Sequence, residues 1–456
     1  MQLRSKKRVT ITGKGGYLAA AMVLTPWGPG DELRARKLRP GKGVPAAVVE
    51  RSQRERLYGA MVTAVAEKGY AETSVADLLT ISGVSRRTFY QLFDGKAACF
   101  VATVEELVEG TVRATARAYG AAGEWEGRAR RSLREFLDGL AAQPAAARLC
   151  VVEAYAAGPA ALRPLERAVD AIEEQAALAS HGDPSRAQAT REVTRAVLAG
   201  IHRVVYVHLS EGREAELPGC FEELWRWTSS YQPPPRPLRS RERRAPPSSA
   251  GGPPLEARMP SERILRGFAA AVGERGYAET TIAEIAARAR ISQATFYAHF
   301  ADKEDAMAAA IELSARQIVA ATVPALRRAG GAVEGVRVAV QCIFSFLASE
   351  PDFARLQAVE VYAAGPEAVE LRNRTIAEVV EVTLALVVDK NRWPSSLAET
   401  ATIGAISGIV YDRIRRAGPD GLPEAIPLAT YVALAPFIGR QRASAVARNE
   451  DAGGES

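Results

Sequence analysis

The chain has 456 residues, 47% hydrophobic and 25% charged, with a formal net charge of +6. That length exceeds what one hydrophobic core usually serves and points to several domains. The charge is concentrated in residues 1–50, which hold ten Lys/Arg against three Asp/Glu, while the remainder is nearly neutral; this excludes a broadly basic nucleic-acid coat and leaves any polyanion to local patches and helix ends.

Four cysteines, Cys99, Cys150, Cys220 and Cys342, are spaced for neither a zinc site nor a disulfide framework, so a reducing cytoplasm is the default. Abundant alanine, leucine, arginine and glutamate favour helices, and the expected fold class is all-α.

Residues 1–44 open the chain with Arg4, Lys6, Lys7 and Arg8 ahead of a short apolar run, Tyr17 to Leu24. The run is too short for a membrane span and lacks a convincing cleavage pattern. The expectation is a disordered basic extension, with Arg34 to Lys42 either a solubilising tail or an arm that follows DNA phosphates or the minor groove. No later stretch holds 18 apolar residues without charge, so no transmembrane span is expected.

The next segment begins a repeat. GYAET at 69–73 recurs at 276–280, and the neighbourhoods EKGYAETSVADLLTISGVSRRTFYQLFDGK and ERGYAETTIAEIAARARISQATFYAHFADK align without a gap at an offset of 207. VEAYAAGP at 152–159 and VEVYAAGP at 359–366 keep the same offset, so the duplicated unit is much larger than a short motif.

In the first copy, Leu57, Met61, Val62 and Val65 mark an amphipathic helix over 51–68, stopped by Gly69. Thr73 or Ser74 caps a helix from Val75 to Thr80, with Asp77 in its first turn. Gly83 turns the chain, Ser85 caps a third helix from Arg86 to Leu92, and Asp94 begins a fourth. The second copy repeats this with Ile264, Leu265, Phe268 and Val272, a cap at Thr280 or Thr281, Ser292 capping the third helix, and Asp302 opening the fourth. Two helices joined by a tight turn fit a helix-turn-helix, whose second helix can enter the major groove. Phe89 with Phe93, and Phe296 with Phe300, are expected core anchors.

TSVADLLTISGVSRRTFYQLFDGK and TTIAEIAARARISQATFYAHFADK resemble the TetR family of bacterial transcriptional repressors, whose pattern is about T-T/V-xxIAxxAGVSxxTxYxxFxxK. The resemblance is strong over about 50 residues of each copy and present twice. It implies helix-turn-helix domains at 45–100 and 259–307, helical ligand-binding and dimerisation domains at 101–228 and 308–442, and a ligand-released repressor of double-stranded DNA. A protein-interaction or ligand-sensing protein with degenerated DNA-binding units is the alternative.

By the resemblance, Thr88, Tyr90 and Lys96 in the first copy, and Thr295, Tyr297, His299 and Lys303 in the second, hold backbone phosphates. The first-turn residues Arg86 and Arg87, and Gln293 and Ala294, after the caps Ser85 and Ser292, sit where base edges are read; Arg suits guanine and Gln suits adenine. Leu92 replaces a polar residue of the family pattern, and Arg290 replaces its turn glycine. If that position needs positive φ, arginine is strained there; alternatively it adds a phosphate contact.

Between the copies, residues 229–260 contain nine prolines and six basic against two acidic residues, and read as an extended linker over 229–258. Such a tether lets the two copies face one another as an intramolecular pseudo-dimer; a homodimer of whole chains is the alternative. The expected contact uses the last helices of each copy, with Ala199, Gly200, Ser407 and Gly408 permitting close approach and Trp225, Trp227, Tyr431 and Phe437 supplying apolar area. The resemblance also implies a small-molecule effector pocket in each helical domain. The repeated Glu153, Tyr155, Glu360 and Tyr362 are either structural or part of it. Residues 443–456 read as a disordered tail.

Enzyme chemistry is not expected. The four histidines, His181, His202, His208 and His299, fall in no metal-binding pattern, and neither a nucleophile elbow nor a phosphate-binding glycine loop is complete. No metal and no cofactor is expected.

Overall fold

A computed structural model of the chain describes residues 23–38, 44–120, 124–178, 184–231, 238, 259–386 and 396–449. The described chain is almost entirely α-helical. In the first half the helices are α1 (Ala46–Glu72), α2 (Val75–Ser82), α3 (Arg86–Leu92), α4 (Lys96–Gly120), α5 (Trp125–Ala142), α6 (Pro144–Val151), α7 (Pro159–Leu178), α8 (Pro184–Ser210) and α9 (Phe221–Ser229). In the second they are α10 (Pro260–Arg275), α11 (Ile282–Ala289), α12 (Gln293–His299), α13 (Lys303–Leu326), α14 (Ala332–Ser349), α15 (Pro351–Ala358), α16 (Pro366–Leu384), α17 (Ser396–Ala417), α18 (Leu422–Ile438) and α19 (Arg440–Ala447).

Local chemistry sets the early boundaries. Gly69 and Gly276 have φ of 78° and 83°, which breaks the helical path after the apolar faces of α1 and α10 are buried. Ser74 and Thr281, rather than Thr73 and Thr280, are the caps: each closes a capping box, with Asp77 and Glu284 reaching back to the cap amide. Burial raises the Asp77 carboxyl, but the hydrogen bonds from Lys68 and Ser74 outweigh it and hold the group at about 2. α2 runs two residues past the expected Thr80, and α4 starts at Lys96 rather than Asp94. Phe89 and Phe296 are completely buried, with Phe93 and Phe300 nearly so, as the spacing predicts.

The extension departs from the expectation of disorder over 23–38. Leu24–Thr25 pairs antiparallel with Gly28–Pro29, Thr25 Oγ1 donates to Gly28 O at 2.7 Å, and Trp27 lies 5.3 Å from Tyr58 of α1. Val23 and Leu33 are buried. Leu33 fits where Gly59 leaves room, since a Cβ there would meet its methyls at 2.8 Å. Apolar burial therefore orders this piece against α1. The rest of the extension, and nearly all of the linker, lie outside the described residues. At the linker's start, Tyr231 still belongs to the fold, being buried with its hydroxyl donating to Val432 O at 2.9 Å. At the far end α19 carries fully buried Ala443 and Ser444, so the fold continues past the expected boundary at 442.

The length pointed to several domains, and the buried side chains do not divide at the linker. One cluster joins α5, part of α6, α8 and α9 of the first half to the second half, from Ile264 to Ala443. The other holds the first three helices with α4, α6, α7 and Val23. The halves meet where α8 lies against α17. Gly200, Gly404 and Gly408 allow the approach: a Cβ on Gly408 would be 2.3 Å from Ala199 Cβ, and one on Gly200 would be 2.6 Å from Ala401 O. Trp227 Nε1 donates to Thr402 Oγ1 at 3.0 Å, and Tyr411 donates to Glu166 at 2.9 Å. Trp225, Trp227 and Tyr431 are buried and Phe437 is partly so.

Among the described residues, three helices, α13, α14 and Pro419–Ile438, are long and apolar enough to cross a membrane. None is free of charge: Glu312 and Arg316 lie on α13, and Glu334 and Arg337 pair at 2.7 Å on α14. Their apolar faces contribute Ile311, Ile318, Val340, Phe344 and Tyr431 to the larger core cluster.

Candidate nucleic-acid interface and effector cavity

α3 and α12 are built alike. Ser85 Oγ accepts from Thr88 N at 3.1 Å, and Ser292 Oγ from Thr295 N at 3.0 Å. Each cap hydroxyl also bonds the hydroxyl of the same threonine, at 2.8 and 2.9 Å. The inward faces place Phe89 and Phe296 in the core. The outward faces leave Ser85, Arg86, Arg87, Ser292, Gln293, Ala294 and His299 exposed. Tyr90 and Tyr297 stand out to solvent at 51% and 56% exposure although their rings pack edge-on to the adjacent phenylalanines. Each of these rings is thus part packed and part open to solvent.

Lys96 and Lys303 behave differently from the expected phosphate grips. Lys96 Nζ donates to Tyr70 O at 2.9 Å and Ala71 O at 3.2 Å, and lies 4.3 Å from the Tyr70 ring centre. Lys303 Nζ donates to Tyr277 O at 3.1 Å and Thr280 O at 3.0 Å, 4.7 Å from the Tyr277 ring centre. Each ammonium thus has two of its three donors committed to the GYAET segment.

That segment also explains the second repeated motif. Tyr70 N donates to Glu153 Oε2 and Tyr277 N to Glu360 Oε2, both at 3.0 Å. The glutamates of VEAYAAGP and VEVYAAGP therefore hold the chain just past the Gly69 and Gly276 breaks, tying each first-helix end to the helical layer behind it. Tyr155 and Tyr362 meet each other across the halves, stacked at 4.8 Å. Burial pushes the Tyr155 phenol well up, with Tyr362 adding to it.

The turns differ as the sequence suggests. Gly83 has φ 65°, ψ 20°, and Arg290 in the same place has φ 52°, ψ 52°, so the arginine does occupy the left-handed region. An unforeseen pair supports both turns. Arg56 donates to Ser82 O, and Arg263 donates to Ala289 O at 2.9 Å and Arg290 O at 2.7 Å. These arginines are themselves 207 positions apart; the offset was the signal that could have found them.

In the second half, a cavity of ≈180 Å³ opens among α13, α14, α15, α16 and α17. Ile318, Val340, Phe344, Ile376, Val379 and Ile403 make much of its wall, and Gln357 and Arg372 are among its few polar members. Among the described residues no group of three or more His, Cys, Asp and Glu is placed to hold a metal ion. The four cysteines are free thiols, and burial pushes Cys99 and Cys150 up to about 12.

Residues 62–103 and 264–311 each match the family described as bacterial regulatory proteins, tetR family. The match is to regulatory proteins, not to an enzyme class. No curated protein matches the chain. Among solved structures, the fatty acid degradation regulator FadR from Bacillus halodurans is 15% identical, covering 42% of this chain and 96% of its own, with a TM-score of 0.35. PfmR, a TetR family transcriptional regulator from Thermus thermophilus, is 24% identical over 39% of this chain and 98% of its own, with a TM-score of 0.31. FadR from Bacillus subtilis, solved with stearoyl-CoA, is 15% identical over 39% and 98%, with a TM-score of 0.31. The chain is thus TetR-like in two separate segments, each holding one of the paired short helices, and the similarity has the form of a duplication.

Proposed function

We propose that this chain is a DNA-binding transcriptional regulator with two reading heads, α3 and α12, and that a small molecule bound in its helical part releases the DNA. The observation that carries this reading is the twofold occurrence of a serine-capped, seven-residue helix with phenylalanine inward and polar first-turn residues outward. Arg86 and Arg87 offer bidentate donors suited to guanine, Gln293 suits adenine, and Ala294 offers only apolar contact to a thymine methyl. Thr88, Tyr90, Thr295, Tyr297 and His299 flank them as phosphate contacts. The heads then read unlike half-sites, and the packing of α8 on α17 makes one chain the equivalent of a dimer. A repressor is the form favoured by the family similarity.

The test replaces one hydroxyl at a time. A hydrogen bond to a charged group contributes about 1.5–3 kcal/mol, so Tyr90→Phe and Tyr297→Phe should each weaken binding to a selected duplex about tenfold or more, with the fold unchanged by circular dichroism. Unaltered affinity in both variants contradicts the assignment.

A further inference from the structure

The geometry points to one effector site per chain, in the second half only, taking an amphipathic anion: an apolar body of about a dozen heavy atoms with a single anionic head held by Arg372 and Gln357. This rests on the ligand-sensing part of the reading above and goes beyond it in naming the ligand class, the number of sites and the residues.

The argument starts from unmet hydrogen-bonding capacity. Arg372 and Gln357 both line the cavity, and Arg372 Nε and Gln357 Nε2 are both shut off from solvent without meeting an acceptor. Both are donors. Arg372 is 7% exposed, and among the described residues it has no ion pair; its Nη1 donates to Asn373 Oδ1 at 3.2 Å. Of the wall hydroxyls, Thr375 donates to Leu371 O and Thr383 to Val379 O within their own helices, while Thr402 donates to Ala398 O and accepts from Trp227. Glu399, also at the wall, has an interaction of its own. What Arg372 Nε and Gln357 Nε2 lack is an acceptor, and a buried guanidinium calls for a charged one.

A second cation stands nearby. Arg203 of α8 donates to Asn373 O at 3.3 Å, and its Nε is also buried without a partner. Burial lowers the Arg203 pKa, and the Arg372 charge lowers it further. Candidate counter-charges are engaged elsewhere: Glu166 with Tyr411 and Arg415, and Glu370 with Arg374 at 4.0 Å. Two guanidiniums from opposite halves therefore converge on Asn373, so an anion seated on Arg372 acts at the boundary between the halves.

The size follows from the volume. A water needs about 10–15 Å³ by the same measure, so ≈180 Å³ accommodates roughly a dozen heavy atoms. The first half does not repeat the site. At the positions 207 earlier, Cys150 stands for Gln357 and Leu165 for Arg372, removing both donors, while Glu173 stands for Val380 and Arg195 for Thr402. Arg195 Nη2 bonds Glu173 Oε2 at 2.8 Å, and Glu173 is buried. An ion pair replaces two wall residues there.

The test is calorimetric titration of the full chain with octanoate and with 1-octanol, with DNA affinity measured on the same samples. Octanoate should bind once per chain and at least tenfold more tightly than octanol. Arg372→Met should cut octanoate affinity at least tenfold and leave octanol unchanged; Gln357→Leu, which keeps the volume, should cut it at least threefold. No octanoate binding, equal binding of the two probes, two octanoates per chain, or an unchanged preference in folded Arg372→Met overturns the inference. If octanoate binds as stated but DNA affinity stays the same, ligand release fails and this site stands. If both probes bind equally and both weaken DNA binding, the regulator reading stands and the anionic site falls.

Discussion

Lys96 and Lys303 follow α3 and α12 in the chain, yet their ammonium groups donate to carbonyls of the two GYAET segments at 2.9–3.2 Å. Their main work is then structural, and it separates from DNA contact by measurement. Lys96→Met and Lys303→Met should each cost about 1–2 kcal/mol of stability while leaving the slope of log K against log salt unchanged. Arg87→Met, on an exposed first turn, should keep stability and flatten that slope by about 0.9 if it neutralises one phosphate in addition to reading a base. A lysine variant that flattens the slope as much as the arginine variant contradicts the inward assignment.

At the scale of elements, the helix-turn-helix turns hold one strained residue. Arg290 sits at φ 52°, where a side chain costs about 1–2 kcal/mol. Arg290→Gly should raise the unfolding free energy by about 1 kcal/mol after the added unfolded-state entropy of glycine is counted; an unchanged or lower thermal midpoint means that Arg290's contacts compensate the strain. The short helices were legible because their signals are local: Ser85 and Ser292 each cap the helix that starts at the next residue, and Phe89 with Phe93, like Phe296 with Phe300, keeps an i,i+4 spacing. The capping boxes at Ser74 and Thr281 were legible to within one residue for the same reason. Arg56 and Arg263 were not, since each acts on a carbonyl 26 residues away. The packed piece over 23–38 was hidden because Val23, Trp27 and Leu33 have no helical or strand period, and their partners, such as Tyr58 for Trp27 and Gly59 for Leu33, lie far along the chain.

For the whole molecule, the duplication was legible from one constant offset, and close helix approach was foreseen at Ala199, Gly200 and Gly408. Gly404, against Arg203 Cβ, was missed. Burial also joins α8 and α9 to the second half in one core; how far such sharing extends depends on which faces meet across some 200 residues, which periodicity does not encode. The Tyr155–Tyr362 stack and the Trp227–Thr402 bond belong to the same contact. Together they support one chain acting with two unlike heads. Selection of bound duplexes from a random pool by the full chain tests that claim most directly. The account predicts two half-sites of different sequence, about 10–10.5 base pairs or a multiple of that apart centre to centre. Enrichment of a perfect palindrome, of a single half-site, or of no sequence at all would contradict it.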